Sequence, residues 1–186
     1  PHYGYLVMKT FQEAERLGLS RFSILEFGCA GGSGLIDLEY HVSRFEKYYD
    51  IKAEIYGFDA GDGLPPSTDY RDVLYLWQEG DYKMDKEKLK KTLRRSEIII
   101  GDINTTLPKF FKRDHIPPVG LVFQDMDYYS STFNSLSHFL DVDSKLIFPR
   151  IRMYLDDTLY TSQSLGELLA TNEFNKLSQN FKLEKV

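Results

Sequence analysis

Apolar residues follow two different periods along the chain, and the changes between them mark out its elements. Leu6, Val7, Ala14 and Leu17 recur near the helical repeat, and Gly18 stands where a helix would stop, which predicts an opening helix. Residues 23–27 form a short apolar run, as a buried strand does. Leu35, Leu38, Val42, Phe45 and Tyr49 then follow at intervals of 3, 4, 3 and 4, one face of a second helix. Residues 54–59 read as a second strand, ending in the turn-rich A-G-D-G-L-P-P-S. Residues 66–84 show no clear period, and helical spacing returns over 85–95. A third strand is expected at Glu97–Ile100, a short helix around Leu107, Phe110 and Phe111, and a fourth strand at Val119–Gln124 after the Pro117-Pro118 break. Ser130 or Ser131 would cap a helix carrying Phe133, Leu136 and Leu140. A fifth strand falls within 145–155, with Pro149 obscuring its start, followed by a helix over 164–177 and an extended segment over 181–186.

Strands alternating with helices predict an α/β fold: a doubly wound, Rossmann-like, mostly parallel sheet with helices on both faces. With 186 residues, no internal repeat and no linker, a single domain is expected. The start at Pro1 rather than Met reads as a piece of a longer protein. In such sheets ligands sit beyond the carboxyl ends of the strands, near the switch in strand order. The residues after each strand therefore carry the functional information.

After the first strand comes E-F-G-C-A-G-G-S-G, Glu26 to Gly34, where glycines let the backbone approach a ligand and Ser33 precedes a helix start. The loop lacks a P-loop lysine, and Ala30 and Ser33 occupy positions that the dinucleotide fingerprint reserves for glycine. After the second strand comes Asp59, placed to accept from ribose hydroxyls. After the third comes Asp102, placed for an adenine edge; for either acid a helix N-cap is the alternative. After the fourth come Asp125 and Asp127, and after the fifth Asp156 and Asp157. Four like charges at neighbouring strand ends repel unless a cation lies among them, which points to a hard divalent ion with oxygen ligands.

Charge and composition narrow the partners. A net charge of -5 argues against nucleic acid, and the basic run from Lys86 to Arg95 carries Leu89 and Leu93 at helical spacing, as a solvated amphipathic helix does. One cysteine, Cys29, excludes an intrachain disulfide and a multi-cysteine zinc site, and fits a reducing, cytoplasmic setting. No apolar run approaches the roughly 20 residues of a membrane span. The four histidines share no spacing, and no G-x-S-x-G elbow is present. The expected partner is a small hydroxylated molecule, with homo-oligomerisation left open.

The order of these motifs resembles the class I S-adenosylmethionine-dependent methyltransferases, whose E/D-x-G-x-x-x-G after the first strand is matched by Glu26, Gly28 and Gly32, and whose acid after the second is matched by Asp59. More narrowly, G-F-D-A-G-D-G-L-P-P, G-D-I-N-T-T-L-P, D-M-D-Y-Y-S-S-T and L-D-D-T resemble the macrocin O-methyltransferase group, and D-Y-Y-S-S-T an uncharacterised branch of it. The resemblance implies S-adenosylmethionine as cofactor and Mg²⁺ held by Asp125, Asp156 and Asp157. Asp127 would then stand behind the ligands or act as base, making Asp125 and Asp127 the candidate catalytic pair. The 31 residues from Asp125 to Asp156 exceed the family's interval, and the family's last strand has no counterpart. A nucleoside-binding protein without chemistry and a nicotinamide-dependent oxidoreductase are the competing readings.

Overall fold

The computed structural model describes residues 2–159 and 161–185. Among these, five strands form one sheet: β1 (Arg21–Phe27), β2 (Lys52–Asp59), β3 (Glu97–Ile100), β4 (Val119–Gln124) and β5 (Ile147–Leu155). Their order is β3-β2-β1-β4-β5, and every pairing is parallel. Six α-helices accompany them: α1 (His2–Arg16), α2 (Ser33–Phe45), α3 (Lys86–Thr92), α4 (Ile103–Phe111), α5 (Tyr129–Ser137) and α6 (Gly166–Leu177). This is the doubly wound α/β arrangement that the alternating periods predict.

The apolar runs of β1 and β4 are continuous because both faces of the central strands are buried. Side chains alternate across the sheet, so Phe22 and Ile24 join one core layer with Val7 and Phe11 of α1 and Leu35 and Leu38 of α2. Leu25 and Phe27 join the opposite layer with Ile103, Leu107 and Phe110 of α4. Phe11 meets Phe22 edge-on at 5.0 Å, and burying each such ring contributes about 1.5–3 kcal/mol.

Several elements depart from expectation, each for a reason distant in sequence. The helix read over 85–95 stops at Thr92, because the Glu39 carboxylate draws off the N–H groups of Arg94, Arg95 and Ser96. Neither Ser130 nor Ser131 caps α5: the helix starts at Tyr129, and the buried Asp72 accepts from the Ser130 N–H at 2.7 Å. Pro149 lies inside β5, where five residues of that strand answer two of β4 across a register shift, and an edge strand tolerates its missing N–H. The helix expected from 164 begins at Gly166, after a turn closed by Ser162 and Leu165. Residues 181–185 form no strand; the Asn175 side chain instead brackets the Leu183 peptide, and Val186 lies outside the described residues. The aperiodic stretch 66–84 is a packed excursion, with Val73 and Trp77 buried against Tyr128.

Candidate active site

The switch in strand order falls between β1 and β4, and there the chain presses the first and fourth loops together. The Asp125 N–H donates to the Phe27 carbonyl at 2.9 Å, and a Cβ on Gly28, whose φ is 81°, would stand 1.7 Å from the Asp125 carbonyl oxygen. Glycine is required at this point by a neighbouring backbone. A Cβ on Gly32 would likewise meet Leu89, and one on Gly34 would meet the Glu26 carboxylate. Gly28, Gly32 and Gly34 thus each admit another part of the protein.

A cavity of about 960 Å³ opens over these strand ends. Glu26, Gly28, Ser33, Asp59, Asp102, Asp125, Asp127, Asp156 and Asp157 all face it, while Gly32 packs beneath Leu89 outside its wall. Topology alone gathers these residues, since each lies at or beyond the carboxyl end of a parallel strand and all such ends lie on one side of the sheet.

On one part of the wall the acids organise the loop. Asp59 Oδ2 accepts from the N–H groups of Cys29 and Ala30 at 2.8 and 2.9 Å, and Oδ1 from Gly61 at 2.6 Å. These bonds hold Ala30 at a φ of 40°, a conformation that costs a non-glycine residue free energy. Asp102 caps α4 by accepting from the Asn104 N–H at 2.7 Å while still facing the cavity. Glu26 is buried, with Oε1 accepting from the Tyr3 hydroxyl at 3.2 Å and Oε2 without a partner. Burial pushes its carboxyl up to about 8.

Elsewhere on the wall the remaining acids converge. One carboxylate oxygen each from Asp125, Asp127 and Asp157 lies within 4.8 Å of the others. Asp127 is the centre of a three-residue γ-turn, in which the Tyr128 N–H returns to the Met126 carbonyl at 2.5 Å and the Asp127 φ is 59°. Such strain is a feature of functional sites. Burial, then repulsion from Asp156 and Asp157, pushes Asp125 up to about 7. Burial and the neighbouring acids also raise Asp127 and Asp157. Asp156 stands apart from the trio: it is exposed and accepts from the Tyr154 hydroxyl at 2.9 Å.

Oxygens on opposite sides of a Mg²⁺ ion stand about 4 Å apart, so the trio needs little adjustment to hold one. The buried, partnerless Oδ2 of Asp157 is the kind of donor a cation would satisfy. For a cofactor bearing an ammonium group, the buried and partnerless Oε2 of Glu26 offers the same fit.

Sequence reasoning missed His2 and Tyr3, which also line the cavity. Tyr3 stacks on Phe123 at 4.1 Å, and His2 on Tyr154 at 4.4 Å. Helical periodicity shows that α1 packs on the sheet but not that its first turn overhangs the strand ends.

No protein-family profile and no curated protein matches the chain. Among solved structures it is similar to the crystal structure of CalS11, a calicheamicin methyltransferase, with a TM-score of 0.68 and 19% identity, over 92% of this chain and 69% of that one. A second, apo structure of CalS11, described as a TDP-rhamnose 3'-O-methyltransferase of calicheamicin biosynthesis, matches with a TM-score of 0.57 and 21% identity over the same shares. At that identity the likeness establishes the fold alone.

Proposed function

We propose that this protein transfers a methyl group from S-adenosylmethionine to a hydroxyl of a small, sugar-like acceptor with the help of Mg²⁺. The observation that carries the reading is one cavity holding both a buried carboxylate with a free oxygen, Glu26, and a trio of converging carboxylates, Asp125, Asp127 and Asp157. The likeness to CalS11, named for methylation of TDP-rhamnose, supports a sugar hydroxyl as the acceptor group.

When bound, S-adenosylmethionine supplies an electrophilic methyl carbon and Mg²⁺ lowers the pKa of a coordinated hydroxyl. Glu26 would hold the cofactor's ammonium group, with Gly28 and Ser33 beside it in the wall and Asp59 and Asp102 facing the nucleoside. Asp125 and Asp157 would hold the ion, joined by Asp156 from the exposed side. Asp127, fixed by its γ-turn beside both, would take the proton that the acceptor hydroxyl releases. Held at one cavity, acceptor and methyl group gain the rate advantage of proximity.

Calorimetric titration with S-adenosylmethionine, followed by assay of methyl transfer to nucleotide-linked deoxyhexoses with Mg²⁺ or with chelator, tests the reading. The expected result is cofactor binding and chelator-sensitive transfer. Folded protein that binds no S-adenosylmethionine overturns it.

A further inference from the structure

We propose that Tyr82 is the platform on which the ring of the acceptor sugar rests, and so a specificity-determining residue. The proposal rests on reading the cavity as a methyl-transfer site with a sugar-like acceptor.

Tyr82 lies near the end of the 66–84 excursion and lines the cavity together with Leu64 and Pro65. The backbone around it is tied down. The Leu64 N–H donates to the Asp81 carbonyl and the Gly80 N–H to the Leu64 carbonyl, both at 2.9 Å, and the Met84 N–H donates to the Gly61 carbonyl at 3.3 Å. Met84 itself is buried in the main core. Asp81 and Met84 are thus fixed on either side of Tyr82, yet its ring is 55% exposed.

This position is costly in two ways. The Tyr82 φ is 61°, in the left-handed region that a bulky side chain disfavours. The same paired turns place Gly63 at 91° and Gly80 at 83°, so left-handed backbone is met with glycine at two positions and with an aromatic at the third. Leaving much of the ring in water also forgoes the stabilisation of burying it. Trp77 and Tyr128 bury their rings in the excursion's own core, and Tyr82 takes no part in that core. A strained, exposed aromatic in a cavity wall has the features of a residue kept for a ligand.

Its place in the wall says which ligand. Leu64, bonded to Gly80 and Asp81, packs with Val73 and Trp77 on Tyr128, the residue next to Asp127. The Tyr82 wall is thereby seated on the loop that carries Asp127, whereas Asp59 and Asp102 stand at the ends of β2 and β3. A sugar ring carries hydroxyls around its edge and C–H groups on its faces, and a deoxyhexose adds a methyl group. The acid oxygens suit the hydroxyl edge, and the Tyr82 ring with Leu64 and Pro65 suits the C–H face.

The test is steady-state kinetics of wild type, Tyr82→Phe, Tyr82→Ala and Tyr82→Gly on nucleotide-linked deoxyhexoses, TDP-rhamnose among them, with calorimetric titration of each protein by S-adenosylmethionine alone. The acceptor KM should rise about tenfold or more in Tyr82→Ala and Tyr82→Gly, with kcat within about threefold and cofactor affinity unchanged, because ground state and transition state lose the contact equally. Tyr82→Phe keeps the ring and should stay within about threefold of wild type. Tyr82→Gly suits the left-handed φ and should melt no lower than wild type. An unchanged KM in Tyr82→Ala overturns the proposal, as does Tyr82→Phe falling as far as Tyr82→Ala. Weaker S-adenosylmethionine binding by Tyr82→Ala would assign the ring to the cofactor, and a markedly lower melting temperature for Tyr82→Gly would assign it to the fold; either refutes the platform. Wild type that binds S-adenosylmethionine but methylates none of these sugars refutes the acceptor reading, and the proposal with it. Active wild type with unaltered variants refutes the platform alone.

Discussion

Tyr3 and Glu26 lie 23 residues apart in sequence, yet the Tyr3 hydroxyl donates to Glu26 Oε1 at 3.2 Å, leaving Oε2 buried and partnerless in the cavity wall. The first turn of α1 thereby orients a carboxylate near the carboxyl end of β1. Tyr3→Phe removes the donor and keeps the ring stacked on Phe123. Cofactor affinity should fall about tenfold, the size of one hydrogen bond to a charged group, with little change in melting temperature. Calorimetry with S-adenosylmethionine measures the first and a thermal melt the second.

Glu26 also makes the ligand-free protein pH-sensitive. Its folded pKa, about 8, stands above the unfolded value near 4.5, so the folded chain holds a proton that the unfolded chain releases between those limits. The raised value therefore removes stability progressively as pH rises through that window, by roughly 5 kcal/mol at most once pH exceeds 8. Glu26→Gln, neutral at every pH, should melt higher than wild type at pH 8.5 and close to it at pH 4.5, while binding the cofactor more weakly. Parallel melting curves for the two proteins across that range would refute the assignment.

The acid trio predicts a division of labour. Asp125→Asn and Asp157→Asn each remove a proposed ligand and should weaken Mg²⁺ binding by about tenfold or more. Asp127→Asn should leave Mg²⁺ binding within a few-fold and lower kcat by about 10²–10⁴-fold, the usual contribution of a general base. Metal titration and steady-state kinetics on the same three variants separate the roles. Equal loss of metal affinity in all three would make Asp127 a ligand.

Features set by neighbouring residues were legible in the sequence, and features set by distant partners were not. Strands β3 and β4 match their expected limits because Gly101 follows one apolar run and Pro117-Pro118 precedes the other. The acids at the strand ends were legible because parallel topology places all of them on one side of the sheet. The start of α5 was not, since its acceptor, Asp72, lies 58 residues before Ser130 in a stretch without any period. Glu167 was equally hidden: helical spacing marks which face of α6 is buried, not that one buried position carries a carboxyl that accepts from the Asp157 N–H. The protein contacts of Gly28 and Gly32 were not legible either, because a sequence shows that a backbone must come close to something without showing what.

Asp72 should therefore behave as a stability residue in spite of its charge. It is fully buried and accepts from Ser67 Oγ at 2.5 Å, Ser130 N at 2.7 Å and Ser130 Oγ at 2.9 Å, which ties the excursion to α5. Asp72→Ala leaves these donors unsatisfied and should cost about 2–4 kcal/mol, read as a lower denaturant midpoint. Asp72→Asn keeps one acceptor and should lose less.

Gly28→Ala tests the meeting of the two loops most directly. The new methyl would have to occupy space 1.7 Å from the Asp125 carbonyl oxygen, at a φ of 81° that alanine disfavours. The backbone cannot yield on the β1 side, where the Gly28 N–H donates to the Phe58 carbonyl at 2.9 Å, so the strain falls on Asp125 and on the loop behind it. A loss of at least about 3 kcal/mol is expected from strain at such a site, together with weaker Mg²⁺ binding as Asp125 leaves the trio. Gly31→Ala is the control from the same loop, because a Cβ there meets nothing within 4 Å and its φ is not left-handed. If the two substitutions cost the same stability and left Mg²⁺ affinity equal, the first and fourth loops would not be in the contact described.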